Sequence, residues 1–147
     1  LLHFAPEQVF EKAFKSLDNI DYLTADLYSD NVMVKMDITD ITYEDDSFDA
    51  IICSHVLEHV TDDRKAMREM FRVLKPGGWA VIMVPISGDV TFEDPSIVTH
   101  EDRERFFGQW NHVRFYGSDI KDRLESAGFE VKVDGYVREL ERSKIRR

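Results

Sequence analysis

Three groups of residues in this sequence have the types and spacing for chemistry. His55, Glu58 and His59 stand in "SHVLEHV" with the spacing H-x-x-E-H. Two histidines four apart on one helix face can bind zinc, with the glutamate between them acting as a base. A zinc hydrolase built this way also needs a long helix around the motif and a third protein ligand. Ser54 has just left an apolar strand and Thr61-Asp62 opens a different helix, so no stoichiometric zinc is expected. His112, Arg114 and Tyr116 alternate in "NHVRFYG". In an extended segment they share one face. They would offer an imidazole titrating near neutrality, a planar fork for a carboxylate and a phenol. They are expected to wall a ligand pocket, with Val113 and Phe115 packing behind. The alternative is a packed segment with Arg114 paired to a carboxylate. Asp26 and Asp37 each close a short apolar run, either as turn openers or facing the strand ends where open α/β sheets bind ligands.

The elements that must position these groups alternate between strand and helix. "LLHFAPE" reads as a first strand and its loop, and "QVFEKAFKSL" puts Val9, Phe10, Ala13, Phe14 and Leu17 on one helical face. Nucleotide-binding turns at this place usually carry glycines, yet this one holds Ala5, Pro6 and Glu7. "IDYLTADL" and "NVMVKMDI" are short strands, and "FDAIICS" has the unbroken apolar run of a strand buried on both faces. Thr61 is expected to cap "DDRKAMREMFRVL", "KPGG" to stop it, and "WAVIMVP" to be the next buried strand. "SDIKDRLESAGF" reads as a helix closed by Gly128, and "EVKVDGY" as a last strand. The pattern implies a doubly wound, mostly parallel sheet. Too few residues separate Asp26 from Val32 for the usual crossover, so the helix between the second and third strands is expected to be missing.

Composition narrows the class. The 147 residues carry a formal charge of −10 and are 43% hydrophobic, which fits one compact domain. Residues 1–49 hold twelve acidic side chains, whereas residues 138–147 hold five basic ones. An acidic body repels phosphate backbones, so nucleic acid is a disfavoured partner. A single cysteine, Cys53, fits a reducing, cytoplasmic setting, and no apolar run is long enough to span a bilayer. The chain opens inside a strand, so a segment upstream of Leu1 is expected. The acidic body and basic end suggest a domain over residues 1–135 and a basic tail over 136–147.

An aspartate closing a strand, "SFD" opening the next, "VLEHV", and "LKPGG" before an apolar strand follow one another between Val34 and Pro85. In that order they resemble the centre of a class I S-adenosylmethionine-dependent methyltransferase, type 11, whose fold is Rossmann-like. The resemblance covers about residues 1–135. It implies S-adenosylmethionine as cofactor and a small-molecule or protein methyl acceptor. His3 then stands where the family's strand acid is expected, Ala5 at the first glycine and Glu7 at a later one. Ala5 and Pro6 would lie close to the cofactor, and Glu7 could accept from its ammonium group. Asp26, with Leu27, would take the ribose hydroxyls; Asp37 would accept the adenine amino group, with Ile38 beside it. Cys53, Ser54 and His55 would face the methionine portion, and His59 and Arg114 the cofactor's surroundings. His55, His112 and Tyr116 are the candidates for catalysis if the acceptor must lose a proton. The glycine-free loop keeps a second expectation open, a binding module that holds the cofactor without turnover. Neither the acceptor nor the oligomeric state is legible in these residues.

Overall fold

The run "FDAIICS" forms a seven-residue inner strand with a neighbour on each edge, and the rest of the sheet assembles around it. The computed structural model describes residues 1–134. Its strands are β1 (Leu2–Phe4), β2 (Leu23–Asp26), β3 (Val34–Lys35), β4 (Phe48–Ser54) and β5 (Leu74–Met83). All pair in parallel in the order β3-β2-β1-β4-β5. The chain therefore builds outward from β1 through β2 and β3, then returns to the other side of β1 for β4 and β5. The point of return, between β1 and β4, is the switch point at which such sheets open a crevice.

The helices are α1 (Gln8–Lys15), α2 (Asp63–Val73), α3 (His100–Phe107) and α4 (Ile120–Ser126), with a 3-10 turn at Leu57–His59. Helix α2 buries Ala66, Met67, Met70 and Val73 completely against Leu2, Phe4, Ile51 and Leu57. Fully burying each of the larger side chains contributes about 1.5–3 kcal/mol. Its cap is Asp62 rather than Thr61: the Asp62 carboxylate accepts from the Lys65 amide at 2.9 Å. Helix α1 behaves differently from its sequence pattern. It buries no residue completely, and Val9, Phe10 and Leu17 remain exposed. Only Phe14 makes ring contacts inward, edge-on to His3 and tilted against Tyr22.

The missing crossover is real. Between Asp26 and Val34 no helix forms, and the turn is held by Asp26 Oδ1, which accepts from the amides of Tyr28 and Ser29 at 2.7 Å. Strand β3 is consequently two residues long. "KPGG" does not end α2 but forms an irregularity inside β5, where the register moves from Phe48–Leu74 to Ala50–Trp79. Gly78 has no room for a Cβ, which would lie 2.9 Å from the backbone oxygens of Asp49 and Lys75. Beyond it, β5 alternates rather than being buried on both faces, and Trp79, Val81 and Met83 are exposed. Helix α3 was not foreseen, although Thr99 caps it through the Asp102 amide and Gly108, at φ 77°, closes it. The expected last strand is not formed over Glu130–Asp134. The rest of it, and the basic tail at 136–147, lie outside the described residues. No helix among the described residues is long and apolar enough to cross a membrane.

Candidate active site

At the carboxyl ends of β1, β2 and β4 lies a cavity of about 930 Å³. Its near wall comes from the residues that leave the strands: Phe4 and Ala5, Asp26 to Tyr28, Met36 to Thr39, and His55. The far wall is supplied by the 3-10 turn and its exit, by Arg103 of α3, and by Trp110, Asn111 and Val113. Ala5, Asp26, Leu27, Asp37, Ile38, His55 and His59 thus come together. Arg114, Tyr116, His112, Cys53, Ser54, His3, Pro6 and Glu7 are not on its surface.

Two residues at the switch point hold left-handed backbone, Ala5 at φ 46° and His55 at φ 53°. A non-glycine residue there costs about 1–2 kcal/mol, and such strain clusters where function constrains the chain. Ala5 lacks a glycine's identity but keeps the conformation that glycine would supply. Both corners are pinned, Ala5 by donating its amide to Ala25 and His55 by donating to Met83, each at 2.9 Å.

The two aspartates share one design. Asp37 Oδ1 accepts from the Thr39 amide and hydroxyl at 2.8 Å, as Asp26 Oδ1 does from the turn that follows it. One oxygen of each carboxylate is fixed by the chain, and the second is left for the cavity.

Behind the near wall, His3 is wholly buried, and its Nδ1 meets the Tyr22 hydroxyl at 2.8 Å. Burial, only partly opposed by Glu7, lowers its pKa. His3 Nε2 and Glu7 Oε2 are 3.3 Å apart without hydrogen-bond geometry, and Ser54 Oγ is likewise unpartnered. Cys53 is sealed in the sheet opposite Phe4, with burial pushing its thiol up, so it faces the core rather than the cavity.

The alternating trio departs most from expectation. His112, Arg114 and Tyr116 do share a face, but it is the buried one, and Val113 takes the place on the cavity wall. Arg114 donates to the carbonyls of Leu57, Val60 and Thr61 and, through Nε, to Glu93 at 2.9 Å. Every arm of its fork is occupied within the chain. Tyr116 donates to Asp63 at 2.7 Å, and burial followed by the Asp63 charge raises its pKa well above the ordinary phenol. It cannot serve as a base in the cavity, because its hydroxyl does not reach it. Arg123 closes the network on Asp63 and Glu93, each at 3.0 Å.

His55 is the exposed member of the site, with its Nδ1 3.2 Å from Glu58 Oε1. The His59 and His112 rings meet edge to face at 4.7 Å. Burial, then the neighbouring His59, lowers the His112 pKa, which favours a neutral ring at pH 7. That His112 reaches His59 was not legible in the sequence, since no motif spans the residues between them.

Comparison with known proteins places this geometry. The profile of a methyltransferase domain family matches residues 4–82, just over half of the chain. A demethylmenaquinone methyltransferase of Clavibacter sepedonicus is 51% identical over 49 residues, covering 33% of this chain and 20% of that protein. The ubiquinone/menaquinone biosynthesis C-methyltransferase UbiE of Idiomarina loihiensis is 44% identical over 116 residues, covering 69% of this chain and 46% of that protein. The chain thus spans less than half the length of these curated relatives. An N-methyltransferase of Haemonchus contortus, solved with S-adenosylhomocysteine, shares the fold with a TM-score of 0.64 at 18% identity, over 87% of this chain and 32% of that one. By its sequence profile, its all-parallel sheet and its switch-point cavity, this chain belongs to the methyltransferase domain family, the Rossmann-like class I S-adenosylmethionine-dependent enzymes, with a first loop free of glycine.

Proposed function

We propose that this chain binds S-adenosylmethionine in the switch-point cavity and transfers its methyl group to a small, quinone-type acceptor. The observation that carries the reading is the pair of aspartates, Asp26 and Asp37, each anchored through one oxygen and lining the same cavity. The donor set fits the cofactor. Asp26 would hold the ribose hydroxyls, Asp37 the adenine amino group and Ile38 the adenine face. The left-handed turn at Ala5 lets backbone approach the methionine half. Bound there, the cofactor supplies a methyl group on a positively charged sulfur that leaves as a neutral thioether.

The protein's contribution is then chiefly alignment, which can supply much of the rate of a displacement. Trp110 and Val113 give the far wall its apolar surface. His55, exposed and tied through Nδ1 to Glu58, is the group placed to take a proton from an acceptor that must lose one. The acceptor class follows the names of the relatives, a demethylmenaquinone methyltransferase and ubiquinone/menaquinone biosynthesis C-methyltransferases.

Calorimetry of the chain with S-adenosylhomocysteine tests the binding step; no heat and no thermal shift at millimolar concentration would end the proposal. A second reading, binding without turnover, is favoured by one observation: Glu7 leans on His3 instead of standing open beside the first loop. Tight binding with no methyl transfer to demethylmenaquinone or another demethylated quinone would select it.

A further inference from the structure

Glu58, His59 and His112 converge at the far wall of the cavity, His59 on its surface and the other two behind it, with one donor atom from each within 4.8 Å of the other two. They come from two separate segments, the 3-10 turn and the extended stretch after α3. His59 Nδ1 lies 3.2 Å from the Asn111 carbonyl, and His112 Nδ1 lies 3.2 Å from the Phe107 carbonyl. A carbonyl can only accept, so each Nδ1 carries the hydrogen and each Nε2 keeps its lone pair. That is how ligand histidines are oriented by their outer partners. Glu58 is 2% exposed; its Oε1 meets His55, and its Oε2 has no hydrogen-bond partner. A buried carboxylate oxygen left unpaired is costly, and the charge it lacks is positive.

We infer that Glu58, His59 and His112 form a binding site for a divalent transition ion. Two imidazoles and one carboxylate suit zinc, iron or cobalt and disfavour magnesium and calcium, which want oxygen alone. The set is not the H-x-x-E-H triad, which the sequence argued against as a zinc site. His55 is tied to Glu58 and stands outside it, and the third ligand arrives from His112. Bonds of about 2.1 Å separate tetrahedral donors by about 3.4 Å, so binding draws the side chains together by roughly an ångström. His59 also lines the cavity, so the site borders it. The ligand class that completes the site is an acceptor bearing a hydroxyl or carbonyl oxygen. That last assignment rests on the methyl-transfer reading; the metal site itself does not.

The chelator-stripped wild-type chain is titrated with cobalt(II) alone, followed by visible absorption and calorimetry, and S-adenosylhomocysteine binding is measured on the same sample. One cobalt per chain is expected, weakened at least tenfold by His112→Ala and by Glu58→Gln, and retained in His55→Ala. A wild-type chain that takes up no cobalt overturns the site whether or not S-adenosylhomocysteine binds. Uptake unchanged in both His112→Ala and Glu58→Gln overturns it too, by placing the ion elsewhere. Uptake without S-adenosylhomocysteine binding supports the site while removing the methyl-transfer reading.

Discussion

Two clusters of charged side chains sit on either side of the 3-10 turn, and they use the same chemical groups in opposite ways. On the cavity side, Asp26 and Asp37 are each tied by one oxygen to the turn that follows, and the other oxygen is uncommitted. On the core side, Asp63, Glu93, Arg114, Arg123 and Tyr116 bond one another and three backbone carbonyls, and of the cluster's side-chain nitrogens and oxygens Arg123 Nε alone is buried without a partner. The first arrangement is built to receive something, whereas the second lacks only a partner for Arg123 Nε. Residue type does not separate them; the count of unmet hydrogen bonds does.

Breaking the core-side cluster should have the largest effect. Arg114→Ala leaves the carbonyls of Leu57, Val60 and Thr61 without their donor and Glu93 with Arg123 alone, and removing one partner of a buried pair costs about 3–5 kcal/mol. Urea unfolding should show that loss, and a variant with wild-type stability would mean the network is not a support. The receiving cluster should respond in affinity instead. Asp26→Asn keeps an oxygen for the Tyr28 and Ser29 amides but removes the charge offered to the ribose. The loss is about 1.5–3 kcal/mol, or ten- to a hundredfold in affinity for S-adenosylhomocysteine, with the melting temperature unchanged. Equal affinity in the variant would demote Asp26 to a turn residue.

A smaller difference should appear with acid. Burial would raise the Glu93 pKa, but hydrogen bonds from Arg123 and Arg114 outweigh it and hold the carboxyl below the usual carboxylate range. A depressed carboxylate stabilises the fold fully above its unfolded pKa and loses that contribution as pH falls through the folded value. Melting temperature should therefore drop below about pH 4.5, and less steeply in Glu93→Gln. The smallest effect belongs to the corner at Ala5. Ala5→Gly relieves about 1–2 kcal/mol of left-handed strain and adds about 0.5–1 kcal/mol of chain entropy cost. Thermal melting should move up slightly, and a fall would show that Ala5 is not strained.

Much of the scaffold was legible in the sequence because burial leaves a pattern. The unbroken "FDAIICS" could only be an inner strand, and the short interval after Asp26 could not hold a helix. The site was harder to read. Alternation correctly joined His112, Arg114 and Tyr116 on one face, but a period of two cannot say which face is inside. That depended on Asp63 and Glu93, which lie far away in sequence. Helix α3 had its signals, Thr99 with Asp102 at the start and Gly108 at the end, but these were submerged in an aromatic segment without a clean apolar stripe. Nothing local marked His112 as a neighbour of His59.

Arg114 has one more consequence, in the order of assembly. It reaches back 53 to 57 residues to hold the carbonyls of Leu57 and Thr61, and the Val113 amide donates to Glu58 across a similar span. Contacts this distant in sequence carry a loop-closure cost and form late. The parallel strands β1, β2 and β4 can pair while the segment carrying His59 is still loose. That segment is locked only when residues 112–116 dock beneath it, so the cavity end of the molecule is completed after the sheet that supports it.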